Sequence, residues 1–428
     1  MSAAESSRSI DQLNQNRPAM QGINKMRLPN GTVTEHGNGT KTIATVGGRQ
    51  FNLRPNGTIA SYHHGSTAAG FNPDGSVRSV RTKDIQVLHG PHGEKLVESV
   101  KPDGTKIVGL GQHSGYAEKQ FVRNGHSYVQ RTYVSGGVTV NRVYSSFTYH
   151  GAVFAAYVPA FTYAPGFYIW AAGPWPEPIA YEWGWAPVVY GGYFYPYPTY
   201  VGAPYWLTDY VLYSSLQDGY PDGGAAGTTA TNTNYDDGSA PANVPIDGDV
   251  KAAIASQISY VLNSSGSAQG NVAEPLPAAL DPKVQVFIVA SAMRAPKGDQ
   301  FCNLTTGDIL KLPHPAADGA AAADLTVIGT KAGDCPKGAQ VNVSIKDLQN
   351  MHNQFLAHAD DGTRTLAGKQ GTGGIPKAPP GTGAPVPNPD AQPFQPPDGP
   401  ALDAELGEQQ SHAADAERQA QQDAQSGN

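Results

Sequence analysis

The chain has 428 residues with 39% hydrophobic content, 50 Gly and 35 Pro, too little apolar material for three well-filled cores, so much of it is expected in turns, extended chain or disorder. Its net charge of −7 divides unevenly: residues 1–150 hold 17 Lys and Arg against 9 Asp and Glu, and residues 151–428 hold 12 against 27. No apolar run approaches the roughly 18 residues of a spanning helix, and no Lys or Arg lies between Gly151 and Val250, which excludes that stretch as a surface for phosphate backbones.

Residues 1–27 read as a flexible N-terminal segment. The opening MSAAESSRSIDQLNQNRPAMQG has neither the basic nor the apolar region of a secretory signal, so either export is absent or a leader was removed or lies upstream.

Residues 28–158 predict an antiparallel β-hairpin meander. PNGT at 29–32 and 55–58, PDGS at 73–76, PDGT at 102–105 and the variant PHGE at 91–94 each combine Pro, a residue tolerant of the left-handed region, and Gly. The stretches between them, such as TKTIATV, SVRSVRTKDIQVL and SYVQRTYV, alternate apolar and polar residues as half-buried strands do. The turn chemistry resembles that of the tyrosine-aspartate repeat sheets of bacterial surface and toxin shells. Six Asn-x-Ser/Thr sequons occur, at Asn30, Asn38, Asn56, Asn263, Asn303 and Asn342, and are read first as turn and loop chemistry. Histidines 36, 63, 64, 89, 92, 113, 126 and 150 cluster at turns, and neither His63-His64 nor His89-x-x-His92 has a carboxylate or thiol at metal-ligand spacing. The basic surplus would attract polyanions or the acidic part of a neighbouring copy, or simply solvate the strand faces.

Residues 159–217 predict an aromatic, Pro-rich layer ending in a short helix, WLTDYVLYSSLQ, because repeated Pro forbids long helices and leaves extended chain. Here Trp170, Trp175, Trp183, Trp185, Tyr193, Tyr195, Tyr197, Tyr200 and Trp206 form a candidate binding surface, since exposed aromatics stack on sugar rings or on one another. The competing reading makes them the meander's own core, packed on Val129, Tyr133 and Val143. A flexible linker follows at 218–247.

Residues 248–370 predict a helix capped by Asp249, strands VQVFIVA, CNLTTGDILKL, DLTVIGT and AQVNVSI, and a helix opening with a Ser344–Asp347 capping box. The strand order and the TTGDILKL phrase, with Gly turning and Asp308 exposed, look like a small β-barrel of the Src-homology-three type. The acidic tail 371–428 is expected to be disordered, with at most a fleeting helix in LDAELGEQQSHAADAERQAQQ. The fold class is therefore mainly β with a smaller α+β unit.

Cys302 and Cys335 are the only cysteines. One disulfide is the economical reading and implies an oxidising compartment; two free thiols, or a zinc site with His314, are the alternatives. The motifs G-x-S-x-G, H-E-x-x-H, G-x-x-x-x-G-K-[ST] and a strand-borne G-x-G-x-x-G are all missing, so neither an enzyme, a cofactor nor a metal is expected. The phrases YEWGWAP, YFYPYPTY, PYWLTDYVL, CNLTTGDILKL, VSIKDLQNMHNQF and KQGTGGIPKAPP, over roughly residues 125–380, resemble a set of uncharacterised Tyr/Trp/Pro-rich proteins of soil bacteria such as Acidobacteria. The resemblance implies a bacterial source and a periplasmic, cell-surface or extracellular place, without an activity.

Together these features predict a non-enzymatic envelope or extracellular protein that uses its meander and aromatic surface for binding or self-association. Its partners would be polysaccharide, cell wall or another copy, with nucleic acid disfavoured. Two alternatives stand: a peptide- or wall-binding module carried by the C-terminal barrel, and a cell-wall hydrolase or transferase with an unrecognised site.

Overall fold

A computed structural model describes residues 3–16, 27–89, 95–111, 114–135, 137–184, 190, 192–220, 243–267, 276–297, 300–382, 384–395 and 398–425. The chain divides into two compact units: Met1–Lys119 with Thr132–Thr139 and Asp398–Asn428, and Gln120–Arg131 with Val140–Pro397. The PHGE turn, His92, His113, Trp185 and positions 221–242 of the expected linker lie outside the described residues.

The meander is confirmed as one sheet of thirteen strands in chain order, β1 to β13. They are β1 (Thr32–Glu35), β2 (Lys41–Ala44), β3 (Gln50–Leu53), β4 (Ile59–His64), β5 (Thr67–Phe71), β6 (Val77–Arg81), β7 (Ile85–His89), β8 (Lys95–Val100), β9 (Lys106–Gly111), β10 (Ser114–Arg123), β11 (His126–Ser135), β12 (Val138–Tyr149) and β13 (Ala152–Val158). Three of the expected Pro-x-Gly reversals are hairpin loops of one design. Gly57, Gly75 and Gly104 take φ of 80, 91 and 82°, and their amides return to the carbonyls of Arg54, Asn72 and Lys101. That is a type I turn closed by a left-handed Gly. PNGT at 29–32 instead leads into β1, and the first reversal falls at Gly39, with φ 80°. At the turns Asn38 and Asn56 accept from the amides of Thr40 and Thr58, both at 3.1 Å, and Asp74 and Asp103 do the same for Ser76 and Thr105. Two of the sequons are thus side-chain turns in which Asp serves equally well.

Register puts one residue per strand on a common buried line: Val33, Ile43, Phe51, Tyr62, Ala69, Val80, Val87, Val97 and Gly109 face their neighbours in turn across β1–β9. Two helices of the same unit cover this inner face. Helix α1 (Ala3–Asn16) buries Ile10, and its Ser6 Oγ accepts from the Val33 amide at 3.2 Å, which caps one amide of the edge strand β1. The segment expected to be flexible is therefore partly a helix.

The C-terminal helix, named α6 in chain order, runs from Gly399 to Gln425 and corrects the expectation of a disordered tail. Its 27 residues at about 1.5 Å each span roughly 40 Å, enough to cross eight strands at about 4.8 Å spacing. Leu402 and Leu406 pack with Ile107 and Val134, while Ala413, Ala420 and Ala424 join the core of the inner ladder. Glu417 pairs with Lys95 at 2.9 Å and with His89, and Gln409 donates to the Ile107 carbonyl at 3.0 Å.

In the second unit β14 (Phe161–Thr162), α2 (Pro165–Ala172), β15 (Pro174–Ile179), β16 (Tyr200–Gly202), α3 (Ala203–Gly219), α4 (Gly248–Ser267) and α5 (Ile345–Gly368) enclose one aromatic core. Helix α4 is capped by Asp247, which accepts from the Val250 amide at 2.9 Å, rather than by Asp249. Ser344 caps α5 as expected: its Oγ accepts from the Asp347 amide at 3.1 Å, and it donates to the Asp347 carboxylate at 2.6 Å, a side-chain pair in place of the reciprocal backbone bond of a full capping box. Strands β17 (Val286–Ile288), β20 (Ile309–Lys311), β21 (Ala322–Gly329) and β22 (Gln340–Ser344) form a four-stranded sheet, and β18 (Met293–Lys297) pairs with β19 (Gln300–Leu304) alone. Among the described residues these strands form no closed barrel. The short β23 (Val386–Pro387) pairs with β14.

Candidate binding surface

The aromatic stretch is core more than surface. Tyr193, Tyr200 and Trp206 are fully buried and Trp175 nearly so; Trp170, Trp183 and Tyr197 are half-buried, and Tyr195 is 47% exposed. This removes Trp175, Tyr193, Tyr200 and Trp206 from the candidate surface. The partners also differ from the expected Val129, Tyr133 and Val143: the rings pack among themselves and on α2, α3, α4 and α5. Trp183 stacks on Trp206 at 4.8 Å and Trp206 on Tyr210 at 5.7 Å. Pro and Gly keep the connecting chain extended, so its large rings reach a core that helices close from the other side.

A buried pair organises that core. Asp209 contacts Lys251 at 2.6 Å and accepts from the Tyr200 hydroxyl at 2.8 Å and the Tyr197 amide at 2.5 Å. Trp183 Nε1 donates to the Tyr200 hydroxyl at 2.6 Å. Burial raises Asp209 and lowers Lys251, each opposed by the other's charge. The Lys251 ammonium also lies 3.6 Å from the Tyr197 ring centre.

Cys302 and Cys335 are bridged, with their Cα atoms 5.1 Å apart. Beside them, Asp308 is fully buried, not exposed as the turn pattern suggests. It accepts from the Thr305 amide at 2.9 Å and pairs with Lys331, whose side chain is 1% exposed. Burial pushes Asp308 up to about 7, with the Lys331 charge opposing. With both charges sealed, the cluster locks the Gly307 turn and offers no substrate a path.

An accessible groove lies elsewhere, on the outer face of the meander. Strand alternation places Thr42, Ala44, Gln50, Asn52, Ser61, His63, Ala68, Gly70, Ser79, Arg81, Gln86 and Leu88 on that face. A bulge between Gly70 and Phe71 adds Arg78. The floor is made of small residues, Ser61, Ala68, Gly70 and Ser79, and the walls of Gln50, His63, Arg78, Arg81 and Gln86, around a trough of about 540 Å³. His63, Arg78 and Arg81 are exposed. Neighbouring strands carry a polar row: His36 Nε2 meets Thr42 Oγ1, Thr42 Oγ1 donates to Asn52 Oδ1, and Asn52 Nδ2 donates to Ser61 Oγ, each at 2.9 Å. Among the described residues no Asp or Glu projects from this face between β2 and β7. The first is Glu98 on β8, itself paired with Lys106 at 2.7 Å.

The sequence pattern contains this surface, in the QFNL and VRSVR alternation within a basic half, but does not select it. His63 and His64 also fall on opposite faces of β4, so the pair cannot converge on one metal. Comparisons with protein-family models, curated proteins and solved structures find no match for this chain.

Proposed function

We propose that this chain is a non-enzymatic interaction protein of the bacterial envelope or exterior, and that the outer face of its meander is the contact surface for an extended polymer. The observation that carries this reading is the asymmetry of the sheet. One face is buried by α1 and α6, while the other presents a trough of small and polar residues with an uninterrupted absence of carboxylates over six strands. The disulfide supports an oxidising compartment, and no described helix is long and apolar enough to cross a membrane. The likeness to Tyr/Trp/Pro-rich proteins of soil bacteria agrees with such a place.

A second reading assigns binding to the C-terminal β-rich module, whose described strands form a four-stranded sheet and a separate hairpin. It rests on Phe301, 57% exposed on β19 with Arg294 lying 5.0 Å from its ring centre, an aromatic available to a peptide or wall fragment. Co-sedimentation with isolated envelope, peptidoglycan and polysaccharide fractions separates the two. Ser61→Leu with Ser79→Leu fills the trough floor and is expected to abolish retention, while Phe301→Ala leaves it unchanged. The reverse pattern assigns binding to the C-terminal module.

A further inference from the structure

We infer that the polymer taken by the outer face is an acidic polysaccharide, its sugar carboxylates held by Arg78 and Arg81 and its hydroxyls by the polar row beside them. This inference rests on the reading of that face as the contact surface.

The trough couples two kinds of group. Arg78, Arg81 and His63 are exposed on β4 and β6, and Arg81 donates to one neutral partner, the Gln86 amide oxygen, through Nε at 3.1 Å and Nη2 at 2.6 Å, which leaves the Nη1–Nη2 edge of its fork for a ligand. A guanidinium in that setting keeps donors for a carboxylate, which it meets with two parallel hydrogen bonds. Arg54 lies next to Arg78, its Nη1 donating to the Ile59 carbonyl at 2.7 Å. Burial and then the charge of Arg78 lower Arg54, and Asp74 only partly opposes them. An anion seated at Arg78 would relieve that repulsion.

Beside the cations stand neutral groups, one per strand: Thr42, Asn52 and Ser61, with Gln50 and Gln86 at the rim. Strand spacing of about 4.8 Å is close to the length of one extended pyranose unit, so a chain crossing the strands meets a donor or acceptor at each sugar. Ser61, Ala68, Gly70 and Ser79 leave room for rings to approach the backbone. Single-stranded nucleic acid fits less well, because the trough offers its bases no exposed Phe, Tyr or Trp platform, Tyr62 being buried, whereas sugar hydroxyls find the polar row.

The test is titration of the full-length protein with polygalacturonate, neutral dextran, dextran sulfate and a single-stranded thymidine homopolymer. Polygalacturonate is expected to bind most tightly and to weaken with salt. Arg78→Gln and Arg81→Gln should each reduce its affinity about tenfold, as the loss of a charge-assisted hydrogen bond does, with unchanged melting temperature. Equal binding of dextran and polygalacturonate, indifferent to both substitutions, would overturn the acidic preference while leaving the face a glycan surface. Stronger binding of dextran sulfate would assign the site to sulfate esters, and stronger binding of the homopolymer to nucleic acid, each overturning the inference. No binding of any polymer by a protein that still sediments with envelope fractions through the trough overturns it as well. If the trough variants leave sedimentation intact, the reading of the face falls with it.

Discussion

Gly75 stands for the hairpin loops at the scale of single residues. Its φ of 91° lies where an L side chain is strained, so Gly75→Ala should lower stability by about 1 kcal/mol or more, read as a fall in denaturation midpoint. Such positions are legible in sequence because the turn is a local object: Pro, Asn or Asp, and Gly each answer one backbone requirement. His352 is not legible in that way. It lies on α5 with its Nδ1 buried and unpartnered, and burial lowers its pKa to about 4 from 6.5, weakly opposed by Asp281. A histidine whose folded pKa is depressed binds protons mainly in the unfolded chain between those values. Its effect on stability is absent above pH 6.5 and grows as pH falls toward 4. Since the residue as a whole is only partly buried, the loss should be about 1–3 kcal/mol. Chemical denaturation at pH 7 and pH 4.5 should show a difference that His352→Gln reduces; an equal difference in both proteins would refute the assignment. Asp308 teaches the same limit: Thr-Gly-Asp reads as an exposed turn, and only the distant Lys331 makes burial of its carboxylate tolerable.

At the scale of elements, α6 decides whether the meander has a core. Ala413 and Ala420 are fully buried against a sheet face made of Val80, Val87, Val97 and their neighbours, and small side chains let the helix lie close. Ala413→Asp with Ala420→Asp places unpaired carboxylates there, a cost of several kcal/mol. The first unit should then lose amide protection in β5–β9 and bind a hydrophobic dye. Unchanged protection would mean the helix contributes little. The tail's composition hides this role, because Ala, Gln and Glu in a Pro-flanked segment score as disorder until a flat apolar face is supplied. The paired alternation of the strands, by contrast, is visible at once, since it depends on residues a few positions apart. The helices α3, α4 and α5 are readable from their apolar spacing, and α5 also from its Ser344 cap, whereas the cap of α4 lies two residues earlier than the pattern suggests.

At the scale of the whole molecule, each unit carries its own core, and the disulfide belongs to the second. Its 33-residue separation corresponds to about 3–4 kcal/mol of stabilisation in the chain-entropy model. Cys302→Ser with Cys335→Ser should therefore depress hydrogen-exchange protection in β19–β22 while protection in β1–β9 stays as it was; equal loss in both would show that the bridge acts beyond its own unit. What the sequence determined by itself was the set of local choices: hairpin turns, strand alternation, helix caps, the cysteine pair and the charge imbalance, all written in neighbouring residues. The destination of each apolar face was decided only in three dimensions. The aromatic stretch faces helices rather than the meander, the acidic tail shields the sheet, and the polar strand face stays open, because burial depends on which surfaces distant segments bring together and no local pattern encodes the partner.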